Sequence, residues 1–149
     1  VPPLDKEELY GITGRPDNAW MVSPDPTEWN RRSLYLLHRR NFRPPMLDVF
    51  DMPDGIASCP RRNESTTAPQ SLTLLNSSFM LEQSTALAKK AGTVEEAWRR
   101  VLLRAPSAEE KQNAEQFLAE QTKALGSAEA ARAELARALL NLNEFLYLD

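Results

Sequence analysis

Proline divides this chain more sharply than any other residue. Ten of its eleven prolines fall at or before Pro69, and the remaining one is Pro106. Proline fixes φ and removes a backbone donor, so it ends helices and is kept out of central strands. Residues 1–30 carry prolines at 2, 3, 16, 24 and 26, too densely for a long helix. Beyond Pro69 the apolar residues recur at helical spacing. The expected organisation is therefore one domain, with a loop-rich segment over 1–68 and a helical part over 69–149.

In the first segment, Leu4 to Leu9 has the acidic start of a helical turn, and Pro16-Asp17-Asn18 is turn chemistry. Ala19 to Ser23 reads as a short strand. Residues 31–42 group Leu34, Leu36 and His38 on one face as a strand, or Leu34, Leu37 and His38 as a helix. Periodicity does not separate the two in so short a run. A strand paired with the Trp20 segment in a β-hairpin is the expectation, with Trp20 and Trp29 packed on the core. Pro45 is placed to open a short helix through Phe50, followed by a loop over Asp51 to Gly55.

The helical part carries clear start and stop signals. Thr67 or Ala68 flanks a helix opened by Pro69, with Leu72, Leu75 and Phe79 as its apolar stripe. Asn76-Ser77-Ser78 marks a kink or a fresh cap, and Gly92 marks the end of the Met80–Ala91 run. Thr93 to Glu96 and Ser107 to Glu110 have the pattern of capping boxes. Val94, Ala97, Trp98, Val101 and Leu102 share one face of the helix after the first box. Ala114, Phe117, Leu118 and Leu125 do so after the second. Gly126-Ser127 ends one helix and caps the next, whose stripe is Ala131, Leu135, Ala138, Leu139, Leu142 and Phe145. Asn141 and Asn143, poor helix formers beside that stripe, are expected to bond loop backbone. The fold class expected is mainly α: an irregular antiparallel bundle of about four helices with a loop-rich N-terminal third.

Composition limits the function classes. The chain has 149 residues and a net charge of −3, so its whole surface suits neither nucleic acid nor an anionic membrane. No apolar run approaches the roughly 20 residues of a membrane span. One cysteine and one histidine exclude an internal disulfide, a histidine metal cluster and Cys-x-x-Cys-His haem attachment. No metal and no cofactor is expected in the chain. Cys59 is expected to be a reduced, mostly buried thiol beside Pro60, as free cysteines ordinarily are. His38 reads as a hydrogen-bonded packing residue rather than a haem ligand.

Charge is uneven. Residues 31–62 hold seven arginines (31, 32, 39, 40, 43, 61 and 62) against Asp48, Asp51 and Asp54. These make internal ion pairs or, alternatively, a basic groove. Arg61, Arg62, Ser65, Thr66 and Thr67 lie just before the helix opened by Pro69. Arginines and hydroxyls near a helix N-terminus form an anion-binding arrangement, unless a protein carboxylate such as Glu64 fills it. Catalytic residues are not identifiable. Glu95/Glu96 and Glu109/Glu110 sit in first turns where capping explains them, and a Ser33, His38, Asp48 set lacks a nucleophile elbow.

Several motifs occur in a distinctive order: Arg31-Arg32-Ser33-Leu34-Tyr35, Phe50-Asp51-x-Pro53-Asp54 and Ser58-Cys59-Pro60-Arg61-Arg62, then Thr67-Ala68-Pro69-Gln70-Ser71-Leu72-x-Leu74-Leu75-Asn76 and Leu140 to Tyr147. From about residue 20 to 149 the chain resembles the planctomycete-type domain of unknown function fifteen fifty-three. Pro69-Gln70-Ser71-Leu72 and Asn76-Ser77-Ser78 depart from the family's common Pro-Gln-Ala-Leu and Asn-Asp-Pro. The resemblance implies the C-terminal part of a large exported bacterial protein in the periplasm or cell envelope. It also implies other domains of the same polypeptide as partners, a haem on an upstream domain, and a redox or polysaccharide setting. It assigns no catalytic residues. Two readings follow. One is a non-catalytic structural or interaction module that takes an anionic or carbohydrate ligand, such as an anionic polysaccharide. The other is part of an enzyme acting on polysaccharide or coupled to a haem-bearing redox partner.

Overall fold

The computed structural model describes residues 3, 21–36, 43–53, 57–61 and 65–147. It divides into two compact units, Val1–Thr66 and Thr67–Asp149. Among the described residues the secondary structure is helical, without strands.

In the first unit, Asp25 caps a 3-10 turn over Pro26–Glu28 by accepting from the Thr27 amide at 2.9 Å. A second 3-10 turn spans Ser33–Tyr35. Helix α1, Pro45–Val49, begins at the proline that marked it. The expected β-hairpin is not seen. Residues 21–23 are coil and residues 33–35 are the second 3-10 turn, while 19–20 and 37–42 lie outside the described residues. Trp29 is half-buried, and its indole donates to the Ser23 carbonyl at 3.0 Å. Trp20 and His38 lie outside the described residues.

The second unit is built from α2 (Ala68–Asn76), α3 (Ser78–Lys90), α4 (Val94–Leu102), α5 (Ala108–Leu125), α6 (Ala128–Leu140) and α7 (Asn143–Leu146). Two of the four helices expected from the sequence are each interrupted, which accounts for the larger number. Ser77 sits in extended conformation between α2 and α3, and its hydroxyl accepts from the Met80 amide, so it is a fresh cap rather than a kink. The last helix stops at Leu140 and restarts at Asn143. Asn141 makes the break useful: its amide group donates to the Arg137 carbonyl at 2.8 Å and to the Leu74 carbonyl at 3.3 Å. That second bond joins the C-terminal end of α2 to that of α6.

Helix α6 is central, packing chiefly on α3 and α5. Ala131 is 0% exposed, and Leu135, Ala136 and Leu139 are buried beside it. Ala97 and Trp98 of α4 and Ala114 of α5 complete the core, with Val94, Val101, Leu102, Phe117 and Leu118 packed against it. The expected faces of α4, α5 and α6 are therefore the buried ones, up to the ends. Leu125, Ala138, Leu142 and Phe145 are exposed.

The expected stripe of α2 and α3 is not the buried one. Leu72 is 57% exposed, and Leu75 and Phe79 are exposed as well. The inward face runs instead through Gln70, half-buried Thr73 and Leu74, then Met80, Ser84 and Ala88, which share one helical phase on either side of Ser77. Buried Ser84 avoids an unmet hydroxyl by donating to the Met80 carbonyl at 2.7 Å. Gln70 is buried too, and its side-chain oxygen accepts from the Thr67 amide.

Caps fix the connections. Ser107 and Glu110 form the reciprocal capping box, at 3.1 and 2.7 Å. At Thr93 only half the expected box forms, because Glu96 reaches the Gly92 amide instead. Helix α3 ends as Ala91 turns extended, without a left-handed glycine. Gly126 does take the left-handed conformation, with φ 68°, and Ser127 caps α6. Leu103 takes it as well, a position where glycine is usual.

Arg104, directly after that turn, clamps two carboxylates. Its guanidinium donates to both oxygens of Glu110 at 2.8 and 2.6 Å, and to both oxygens of Glu144 at 2.7 and 2.8 Å. Helix α7 is thereby tied to the junction of α4 and α5. The Arg104 hydrogen bonds, with the Ser107 amide, hold Glu110 down to about 2, and Arg104 lowers Glu144 as well.

Two outcomes follow from this packing. Leu139→Ala is expected to cost about 2–5 kcal/mol and Ala131→Leu about 1–3 kcal/mol, both read as lower urea midpoints. Wild-type values for both variants would mean that α6 is not the core.

The clamp predicts a direction with pH. A carboxylate lowered on folding stabilises the fold above its ordinary pKa, and that contribution is lost as pH falls through the folded value. The urea midpoint should therefore fall as pH drops from 4.5 to about 2. In an NMR titration Glu110 should titrate at about 2, and Arg104→Ala should raise it, with the Ser107 amide still holding it below the ordinary carboxylate range. An ordinary midpoint in the wild-type chain would contradict the clamp.

Candidate functional site

The first unit contains the sequence motifs that the helical packing does not explain, and α1 positions them. At its end the Met52 amide bonds the Leu47 carbonyl at 3.1 Å and the Asp51 amide bonds that of Asp48 at 3.2 Å. This is a Schellman-type stop, with Asp51 in the left-handed position at φ 57°. Glycine usually fills that place, and aspartate tolerates it better than most residues because its short carboxylate bonds locally. Pro53 follows two residues later and prevents the helix from resuming.

The turn places the Asp51 carboxylate where the chain returns. Its Oδ2 accepts from the Ser65 amide at 2.8 Å and from the Ser65 hydroxyl at 2.7 Å. Arg43, on the other side of α1, donates to Asp48 at 2.6 Å. A cleft of about 480 Å³ is lined among others by Arg43, Asp48, Asp51, Ser58 and Cys59. The motifs Phe50-Asp51-x-Pro53 and Ser58-Cys59-Pro60, separate in sequence, thus form the walls of one concavity.

The candidate ligand residues are distributed as follows. Arg61 is exposed, and its carbonyl accepts from the Cys59 thiol at 3.1 Å. Arg62 and Glu64 lie outside the described residues. Ser65 directs both its donors to Asp51, an internal carboxylate of the kind expected to compete with an anion, although a different one from Glu64. Thr66 is exposed coil, and Thr67 is the N-cap residue of α2. The two compact units divide between Thr66 and Thr67. Of the seven arginines, Arg31 pairs with Glu28 at 2.9 Å and Arg43 with Asp48.

Cys59 corrects the sequence reading, since it is an exposed free thiol. The thiol finds its partner in the neighbouring Arg61 carbonyl at 3.1 Å rather than in a core. Sequence reasoning also missed Asp51 as an organising acceptor. The available signal was an aspartate just past a short helix and two residues before a proline. Its partner, Ser65, is too distant along the chain for any local pattern to reveal. Among the described residues no group of three or more His, Cys, Asp or Glu side chains could hold a metal ion. No described helix is long and apolar enough to cross a membrane.

A family model described as "Protein of unknown function (DUF1553)" matches residues 4–118, and the chain belongs to that family. The match takes in both walls of the cleft and the Arg104 to Glu110 junction, and ends before the Leu140 to Tyr147 motif. Neither the curated proteins nor the solved structures contain a match to this chain.

Exposure of Cys59 has a direct consequence. A thiol reagent should label the native chain at a rate near that of the urea-unfolded chain, with the helical circular dichroism unchanged. Labelling that requires unfolding would place the thiol in a core.

Proposed function

We propose that this chain is a non-catalytic structural or interaction module of a larger exported envelope protein. In it an antiparallel body of about four principal helices carries a ligand-binding loop segment. The observation that supports this most is the Asp51–Ser65 contact. It ties the loop that follows α1 to the chain just before α2 and leaves an open cleft beside it. The side chains with resolved partners there are engaged in holding the loops, as a docking surface requires.

The ligand is an anionic or carbohydrate group, met by the segment that carries Arg61, Arg62, Ser65, Thr66 and Thr67. Other domains of the same polypeptide, one of them bearing haem, are the partners in this proposal, and the periplasm or envelope is its location. Both rest on the family membership.

Titration with sulfate or an acidic saccharide tests the anion arm. Amide resonances of Arg62, Thr66, Thr67, Ala68 and Gln70 should shift, less so as salt screens the charges. Arg61→Ala combined with Arg62→Ala should abolish the shifts and leave the helical signal intact. Unfolding of that double variant would make the arginines scaffold and end the anion assignment. Turnover of a polysaccharide by the purified chain would overturn the non-catalytic role.

A further inference from the structure

We propose that the cleft beside Asp51 binds a neutral, polyhydroxylated ligand, a saccharide chain laid across it. This rests on the ligand-binding role proposed above. A volume of about 480 Å³ is within the range of ligand sites. Among the described residues its charged lining is two carboxylates, Asp48 and Asp51, against one guanidinium, Arg43. An anion entering the cleft therefore meets a wall of net negative charge.

Sugar hydroxyls fit the same wall, because each donates one hydrogen and accepts others. Carboxylates are acceptors only, so a hydroxylated ligand supplies what they lack. The acceptors are held before any ligand arrives: Asp51 by the two Ser65 donors, and Asp48 by Arg43. Prepositioned groups lose little freedom on binding, which favours affinity. Pro53 and Pro60 on the lining provide apolar faces for the C–H side of a sugar ring. Ser58, Cys59 and Pro60 are exposed, so a long chain can lie over the cleft without being enclosed.

The test uses the whole chain and a defined panel: cellohexaose, maltohexaose and hexa-N-acetylchitohexaose as neutral probes, with polygalacturonate and sodium sulfate as anionic ones. At millimolar concentration, at least one neutral probe should shift the amides of Asp51, Met52, Ser58 and Cys59. The same probe should slow Cys59 alkylation severalfold, and added salt should leave both effects unchanged. Asp51→Asn should weaken binding about tenfold or more, as loss of a charged hydrogen bond does. That variant also weakens the Ser65 contact, so protection of Cys59 in the wild-type chain is the deciding readout. Cleft shifts from the anionic probes alone overturn the ligand class and leave the module reading standing. Shifts confined to Thr66 to Gln70 overturn the cleft proposal only. No response to any probe at either place overturns both.

Discussion

The helical unit depends on how closely α6 approaches its neighbours. Its inward face is alanine and leucine, with Ala131 and Ala136 buried alongside the larger Leu135 and Leu139. Small side chains let helix axes come together, and interleaved leucines fill the space left over. Both α3 and α5 pack on this face. Ser84 of α3 and Ala114 of α5, buried small residues on those helices, fit the same close packing. Replacing one alanine with a bulky residue separates helices, which is why the composition of this face matters more than its overall hydrophobicity.

Around this packing, polar contacts determine where helices begin and end. Arg104 engages Glu110 and Glu144 together, so the closing segment of the chain is tied to a junction forty residues earlier in sequence. Asn141 performs a similar task across α2 and α6. Asn141, expected from the sequence to bond loop backbone, instead bonds carbonyls of two helices, while nothing in the sequence marked Arg104. Their value is that each joins helix ends, where backbone or charge would otherwise be met only by solvent. Trp98 is the exception within the core, since its indole nitrogen is buried without a partner among the described residues.

The loop-rich unit follows a different principle. Its described elements are short, and it holds its form through side chain to backbone contacts around prolines. Asp25 caps a 3-10 turn, Trp29 bonds the Ser23 carbonyl, and Asp51 both ends α1 and receives Ser65. A loop held by such contacts keeps polar groups near solvent, and the proposed ligand role starts from this. The same construction leaves Cys59 exposed.

The sequence by itself determined the mainly helical class, the family, the caps at Thr93, Ser107 and Ser127, and the left-handed stop at Gly126. These depend on residues within a turn or two of one another, and local physics is enough to specify them. It also determined the buried faces of α4, α5 and the body of α6, because an uninterrupted helix carries its apolar period forward. Tertiary structure decided what local pattern does not encode. Packing selected the face of α2 and α3 that carries Gln70, Met80, Ser84 and Ala88, so Leu72, Leu75 and Phe79 are exposed although they form an apolar stripe in the sequence. Arg104 found Glu144, Asn141 found Leu74, and Asp51 found Ser65, each over a separation that periodicity does not span. The cleft belongs to this second group: its walls are legible as motifs, but only folding brings them to face one another.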